Sequence, residues 1–144
     1  MQDTLVPARD AIRARTSDAA NRRIDRTTRG ALDEVHDSPE RIRARLEELD
    51  REWTVDRALM LNFAVLGGIS SALTVRNLRR SGRIAGWGAL LFTQAGFLAY
   101  HAIRRWCPPL PVLRRLGFRS DKEIAAERAL LEACLAELES GAEP

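Results

Sequence analysis

The chain has 144 residues, enough for one domain or for a small domain with helical tails. Its net charge is +3 and its basic residues are almost all arginine, 22 of 23. Two cysteines and two histidines exclude a disulfide framework and give no metal-ligand spacing, so neither a metal nor a cofactor is expected.

Charge is unevenly placed along the chain. Residues 1–56 hold 11 Arg against 13 acidic residues, residues 57–120 hold 10 Arg and no acid, and residues 121–144 are acidic again. The basic character therefore belongs to a central acid-free segment. The start has no apolar h-region, which predicts no cleavable signal peptide.

In chain order, the first dozen residues are polar and are expected to be disordered. Asp18 to Val35 reads as a loosely held helix with a thin apolar stripe of Ala20, Ile24, Ala31, Leu32 and Val35. A clearer amphipathic helix is predicted over about 39–54. Asp37 or Ser38 caps it and Pro39 suits its first position. Ile42, Leu46, Leu49 and Trp53 form its stripe, which needs a partner: a second protomer, the C-terminal helix or a membrane surface.

The composition then changes sharply. Residues 58–75 and 84–103 carry no charged residue, His101 being counted neutral. As helices the two runs measure about 27 and 30 Å, near the thickness of a bilayer's hydrocarbon core. Arg57 and Arg76 bracket the first run, and Arg83, Arg104 and Arg105 the second. With Trp53 and Trp106 these arginines are the predicted membrane-interface anchors. The intervening "RNLRRSGR" is read as a short turn at Gly82. More arginines flank the outer ends than the loop, which favours both termini in the cytoplasm. Two four-residue ridges, Ala64, Gly68 and Ala72, then Ala85, Ala89 and Thr93, are the predicted helix-packing faces. Asn62 and Gln94 are polar amides that need a partner in hydrocarbon, either each other or a second copy.

Trp106 to Pro111 reads as a membrane exit, since Pro108, Pro109 and Pro111 stop the helix. The interfacial segment 106–119 is expected to lie along the surface. In it Leu110, Val112, Leu113, Leu116 and Phe118 are apolar, and Arg114, Arg115 and Arg119 face anionic lipid headgroups. Residues 120–144 hold a last amphipathic helix, announced by a capping box of Ser120 and Glu123.

The whole is predicted to be all-α: a two-helix transmembrane hairpin (57–119) with amphipathic helical N- and C-terminal tails (1–56 and 120–144). Cys107 has two readings, a packing residue at a proline-kinked helix end or a reactive thiol stabilised by Arg104, Arg105 and Arg114. Cys134 reads as packing. The segment 57–120 lacks any carboxylate for acid–base catalysis, and no catalytic residue is assigned. The charge-free runs, without aromatics interleaved among the arginines, exclude nucleic acid as a partner.

The stretches "DRALMLN", "WCPPLPVLRRLGFRS" and "EIAAERALLEA" carry a resemblance over about residues 52–132. The chain resembles an uncharacterised bacterial two-helix membrane family that includes the transmembrane domain of YgaP-type rhodaneses. That resemblance implies a hairpin in the inner membrane, often dimeric. Residues 1–51 are too short for the sulfurtransferase domain that some members carry and contain no cysteine, so rhodanese activity is not carried over. The expected role is an oligomerising membrane anchor or scaffold, not an enzyme, most simply a dimer in the lipid bilayer. A membrane-face thiol for sulfur handling or redox sensing is the alternative.

Overall fold

In the computed structural model, residues 10–84 and 86–141 are described. They form six α-helices, preceded by one 3-10 turn at Arg13–Arg15. The helices are α1 (Asp18–Val35), α2 (Pro39–Arg51), α3 (Val55–Ser81), α4 (Gly86–Arg104), α5 (Leu110–Leu116) and α6 (Asp121–Ser140). No strand occurs among the described residues, only an isolated parallel bridge between Thr54 and Arg119.

Local chemistry sets the helix ends. Ser17 caps α1 through the Ala20 N–H, and Thr54 caps α3 through the Arg57 N–H. Pro39 stands in the first turn of α2. Ser120 and Glu123 form the expected capping box on α6. The turn between the long helices is shorter than the sequence suggests. Arg76, Arg79 and Arg80 ride on the last turns of α3, where cations suit the negative helix end. The helix stops at Gly82, a glycine that takes φ of 65° without strain.

Two apolar clusters hold the bundle. α2 packs on α6: Ile42 and Leu49 meet Ile124 and Leu131, with Leu32, Val35, Leu46, Cys134, Leu135 and Leu138 around them. Of the three partners open to the α2 stripe, the C-terminal helix fills the place. Trp53 leaves the stripe because α2 ends at Arg51. It is 45% exposed, with the Arg57 guanidinium 5.1 Å over its ring. The second cluster joins Ile12, Val55, Leu59, Cys107 and Leu110, flanked by Phe63, Leu113 and Phe118.

Two expectations for the N-terminal segment need correction. The disordered first dozen falls partly on residues 1–9, outside the described residues. Asp10 and Ile12, however, are buried, and Ser120 Oγ donates to Asp10 Oδ2. Helix α1 is firmly held, because Arg13 pairs bidentately with Asp25 and Asn21 and Thr28 accept from buried arginines.

α3 and α4 run antiparallel, with Asp56 beside His101 and Ser70 beside Gln94. α3 is long and apolar enough to cross a membrane, with mean hydropathy 1.8, and only 17% of its apolar stretch is buried. Among the described residues it is the one helix of this kind. α4 falls short because Thr93, Gln94, Tyr100 and His101 dilute its apolar residues.

The ridges predicted to pack the hairpin do not do so. Ala64, Gly68, Ala72, Ala89 and Thr93 are exposed, and a Cβ added at Gly68 meets nothing within 4 Å. Ala85 lies outside the described residues. The helices meet instead along a neighbouring, more polar face. There a Cβ at Gly88 would meet Thr74 Cγ2 at 3.7 Å, and one at Gly67 would meet Gln94 Oε1 at 3.7 Å. Gln94 Nε2 donates to Ser70 Oγ at 3.1 Å. Gln94 thus finds its partner in Ser70 rather than in Asn62. Burial of this polar pair decides which face turns inward, because an amide away from water needs a partner.

Candidate functional site

The candidate site lies at the base of the hairpin, where α3 begins, α4 ends and α5 and α6 close over both. Its first layer is polar. His101 Nε2 lies 3.2 Å from Asp56 Oδ1, and Arg105 Nη1 lies 3.5 Å from Asp56 Oδ2. The sequence shows no carboxylate near His101 because 45 residues separate the pair. Asp56 stands in the first turn of α3, where a negative charge suits the helix N-terminus. Arg105 terminates α4 with φ of 55°, a position usually taken by glycine, and its N–H reaches the His101 carbonyl at 2.7 Å. It is therefore tied to Asp56.

Cys107 lies two residues on. It is completely buried among Ile12, Val55, Leu59 and Leu110. Burial pushes its thiol up, and the negative Asp56 pushes the same way against the hydrogen bond from the Leu110 N–H. None of the three arginines that would favour a thiolate shifts it, since Arg114 is spent on Glu123 and Arg104 points outward. The environment thus opposes the reactive-thiol reading and fits a packing residue.

Beneath this layer runs a buried ionic network. Arg114 is 1% exposed. Its two terminal nitrogens reach Glu123 Oε2 and Oε1 at 2.6 and 2.8 Å, and its Nε donates to Thr16 Oγ1 at 3.2 Å. Arg13 adds a third guanidinium contact to Glu123 at 3.0 Å. Arg119 pairs with the fully buried Glu127 and with Glu52 at 2.9 Å, and Arg45 reaches Glu127 at 2.9 Å from the other side. This overturns the expectation that Arg114 and Arg119 face anionic lipid. α5 is only seven residues long, and the turn at Gly117, with φ of 102°, folds its basic end back onto the start of α6. Arg115 alone of the three stays exposed.

Burial by itself would raise the Glu123 carboxyl. The hydrogen bond from Arg114, the Ser120 N–H, the Arg114 charge and the bond from Arg13 outweigh it and hold Glu123 below the ordinary carboxylate range. The pairing Arg114–Glu123 could have been sought in the sequence only by asking which arginines precede a capping box. No helical period links positions nine apart across a turn.

Arg57, Arg76, Arg83 and Arg104 are exposed at the ends of the long helices. Trp106 packs edge-on to Tyr100, with ring centroids 6.2 Å apart. Among the described residues no group of three or more His, Cys, Asp or Glu side chains could hold a metal ion. A scan against protein-family models, a search of curated proteins and a search of solved structures each found no match to this chain.

Proposed function

We propose that the chain is a small integral membrane protein whose α3–α4 hairpin spans a bilayer twice and anchors the α1, α2, α5 and α6 bundle at its surface. The observation that carries this reading is the outward apolar surface of both long helices. Met60, Leu61, Val65, Ile69, Leu90, Phe92 and Ile103 are all at least 40% exposed. A soluble core helix hides such residues, and water penalises them by about 25 cal/mol per Å².

The way the chain closes supports two crossings rather than one. The Val55 N–H bonds to the Arg119 carbonyl at 2.8 Å, so the ends of the segment between them share one side. A segment that leaves and returns to one side crosses an even number of times. If α3 crosses, α4 brings the chain back. Gln94 and His101, which lower the hydropathy of α4, turn inward to Ser70 and Asp56 and so do not oppose this.

In this reading the protein works by association as an anchor or scaffold, and no catalytic step belongs to it. The exposed ridge of Ala64, Gly68 and Ala72 is available to a second copy, which supports a homodimer. The sequence resemblance supports the bacterial inner membrane, and the arginine distribution supports termini in the cytoplasm. The alternative, sulfur or redox chemistry at Cys107, has the burial of that thiol against it.

The test is cysteine accessibility in cells. A membrane-impermeant maleimide should label Cys134 only after cells are opened, and a Ser81→Cys variant from outside, with all protein in the alkali-resistant membrane pellet. Label on both positions from one side would remove the double crossing. Recovery in the soluble fraction would remove the membrane reading altogether.

A further inference from the structure

Among the described residues, some arginines outside the long helices pair with carboxylates and others, Arg15, Arg23 and Arg115 among them, do not. Arg13, Arg41, Arg43, Arg45, Arg51, Arg114, Arg119 and Arg128 all pair with carboxylates. Arg22, Arg26 and Arg29 do not: among the described residues no carboxylate lies within ion-pair distance of any of them. All three are exposed and lie on successive turns of α1. Their face is opposite Ala20, Ile24 and Thr28, which are buried against the bundle.

These side chains line a recess of about 450 Å³ together with Ala19 and Asp25. The small Ala19 leaves one wall open. Asp25, the single acid in the lining, has both oxygens on Arg13, at 2.8 and 2.6 Å, so its charge is already answered. Asp18 and Asp33 bound the stripe one turn beyond each end. Like charges one turn apart destabilise a helix. Arg15, Arg23 and Arg115 also lack a carboxylate partner among the described residues, but none of them lines this recess. Here three are grouped, and the one acid in the lining is turned away from them onto Arg13.

From this we infer that the Arg22, Arg26 and Arg29 recess is a binding site for a phosphate group, carried either by an anionic lipid headgroup or by a soluble phosphorylated compound. Guanidinium donors match phosphate oxygens in geometry as well as charge, and a recess admits a tetrahedral group that a flat surface does not enclose. The site borders the buried network only through Asp25, which holds Arg13, and does not depend on the hairpin crossing a membrane.

The test uses the full-length purified chain and two probes. Inorganic pyrophosphate is titrated calorimetrically, and retention of phosphatidylglycerol over phosphatidylcholine is read by native mass spectrometry from mixed micelles. The variant is Arg22→Gln/Arg26→Gln/Arg29→Gln. Its control is Arg41→Gln/Arg43→Gln/Arg51→Gln, which removes the same charge from exposed, carboxylate-paired positions. The expected result is loss of affinity by about tenfold or more in the first variant and retention in the control, the scale of one lost charge-assisted contact. Loss confined to the pyrophosphate arm identifies a soluble ligand, and loss confined to the lipid arm a headgroup. Absence of binding to either probe, or equal loss in the control, overturns the inference. Membrane extraction of the same variant separates this outcome from failure of the hairpin reading.

Discussion

At the scale of single residues, Arg114 and Arg115 are adjacent in sequence and opposite in circumstance. Arg114 is buried in a fork with Glu123, whereas Arg115 is exposed. Arg114→Met leaves the Glu123 carboxylate with Arg13 as its remaining guanidinium partner, and is expected to cost about 3–5 kcal/mol in denaturant unfolding of the purified chain. Arg115→Met should stay within about 0.5 kcal/mol of the wild type in the same assay. Glu123 also sets an acid limit. Its folded carboxyl is held below the ordinary value, so its stabilisation is present at neutral pH and is lost as pH falls through the folded value. A melting profile against pH should therefore drop on the acid side, and Glu123→Gln should start lower and lose that part of the slope. Cys107 gives a kinetic counterpart. In the folded chain maleimide should reach the half-buried Cys134 well before the fully buried Cys107, and equal labelling rates would contradict the packing described for the proline turn.

Helices fold from local instructions, and their faces from distant ones. A cap is written within four residues, which is why Ser120 with Glu123, Pro39, and the bounds Asp18–Val35 could be read directly from the chain. The α2 stripe was legible for the same reason, up to Trp53, where helical spacing continues in the sequence but the helix does not. What no period encodes is which side of an alanine- and glycine-rich helix turns inward. Ala64, Gly68 and Ala72 have ideal spacing, yet Ser70 and Gln94 claim the contact because their hydrogen bond has to be buried. The buried pairs Arg114–Glu123 and Arg119–Glu127 escaped for a related reason: arginines next to an apolar run look like headgroup anchors until the turn at Gly117 is known. The two faces make separable predictions. Gly67→Leu, which displaces the Gln94 carbonyl, should lower the melting temperature of the hairpin. Gly68→Leu should leave it unchanged and weaken only self-association, measured by cross-linking in detergent. In the α2–α6 seam Leu131 is fully buried, and Leu131→Ala should cost about 2–5 kcal/mol.

For the whole molecule, the bundle and the hairpin are stabilised by different means. The hairpin shows its apolar residues outward and buries Ser70, Gln94 and His101 between its helices, whereas the bundle buries charge in pairs. Buried pairs are screened far less than surface ones, so high salt should leave the bundle's melting temperature nearly unchanged while dissolving the exposed Arg43–Glu139 and Arg41–Asp37 pairs. A melting temperature that falls steeply with salt would show the Arg114 and Arg119 network to be open to solvent. The pairing of α2 with α6 also dictates an order of events during synthesis. The apolar seam of Ile42 and Leu49 leaves the ribosome more than seventy residues ahead of Ile124 and Leu131, which cover it. Between those moments the whole of α3 and α4 must be made. The nascent N-terminal half therefore waits with an uncovered seam and unanswered acids, Glu52 among them, until Arg119 arrives. A chaperone that shields exposed apolar helix faces would meet this protein in that interval, and a chain truncated before α6 would never leave it.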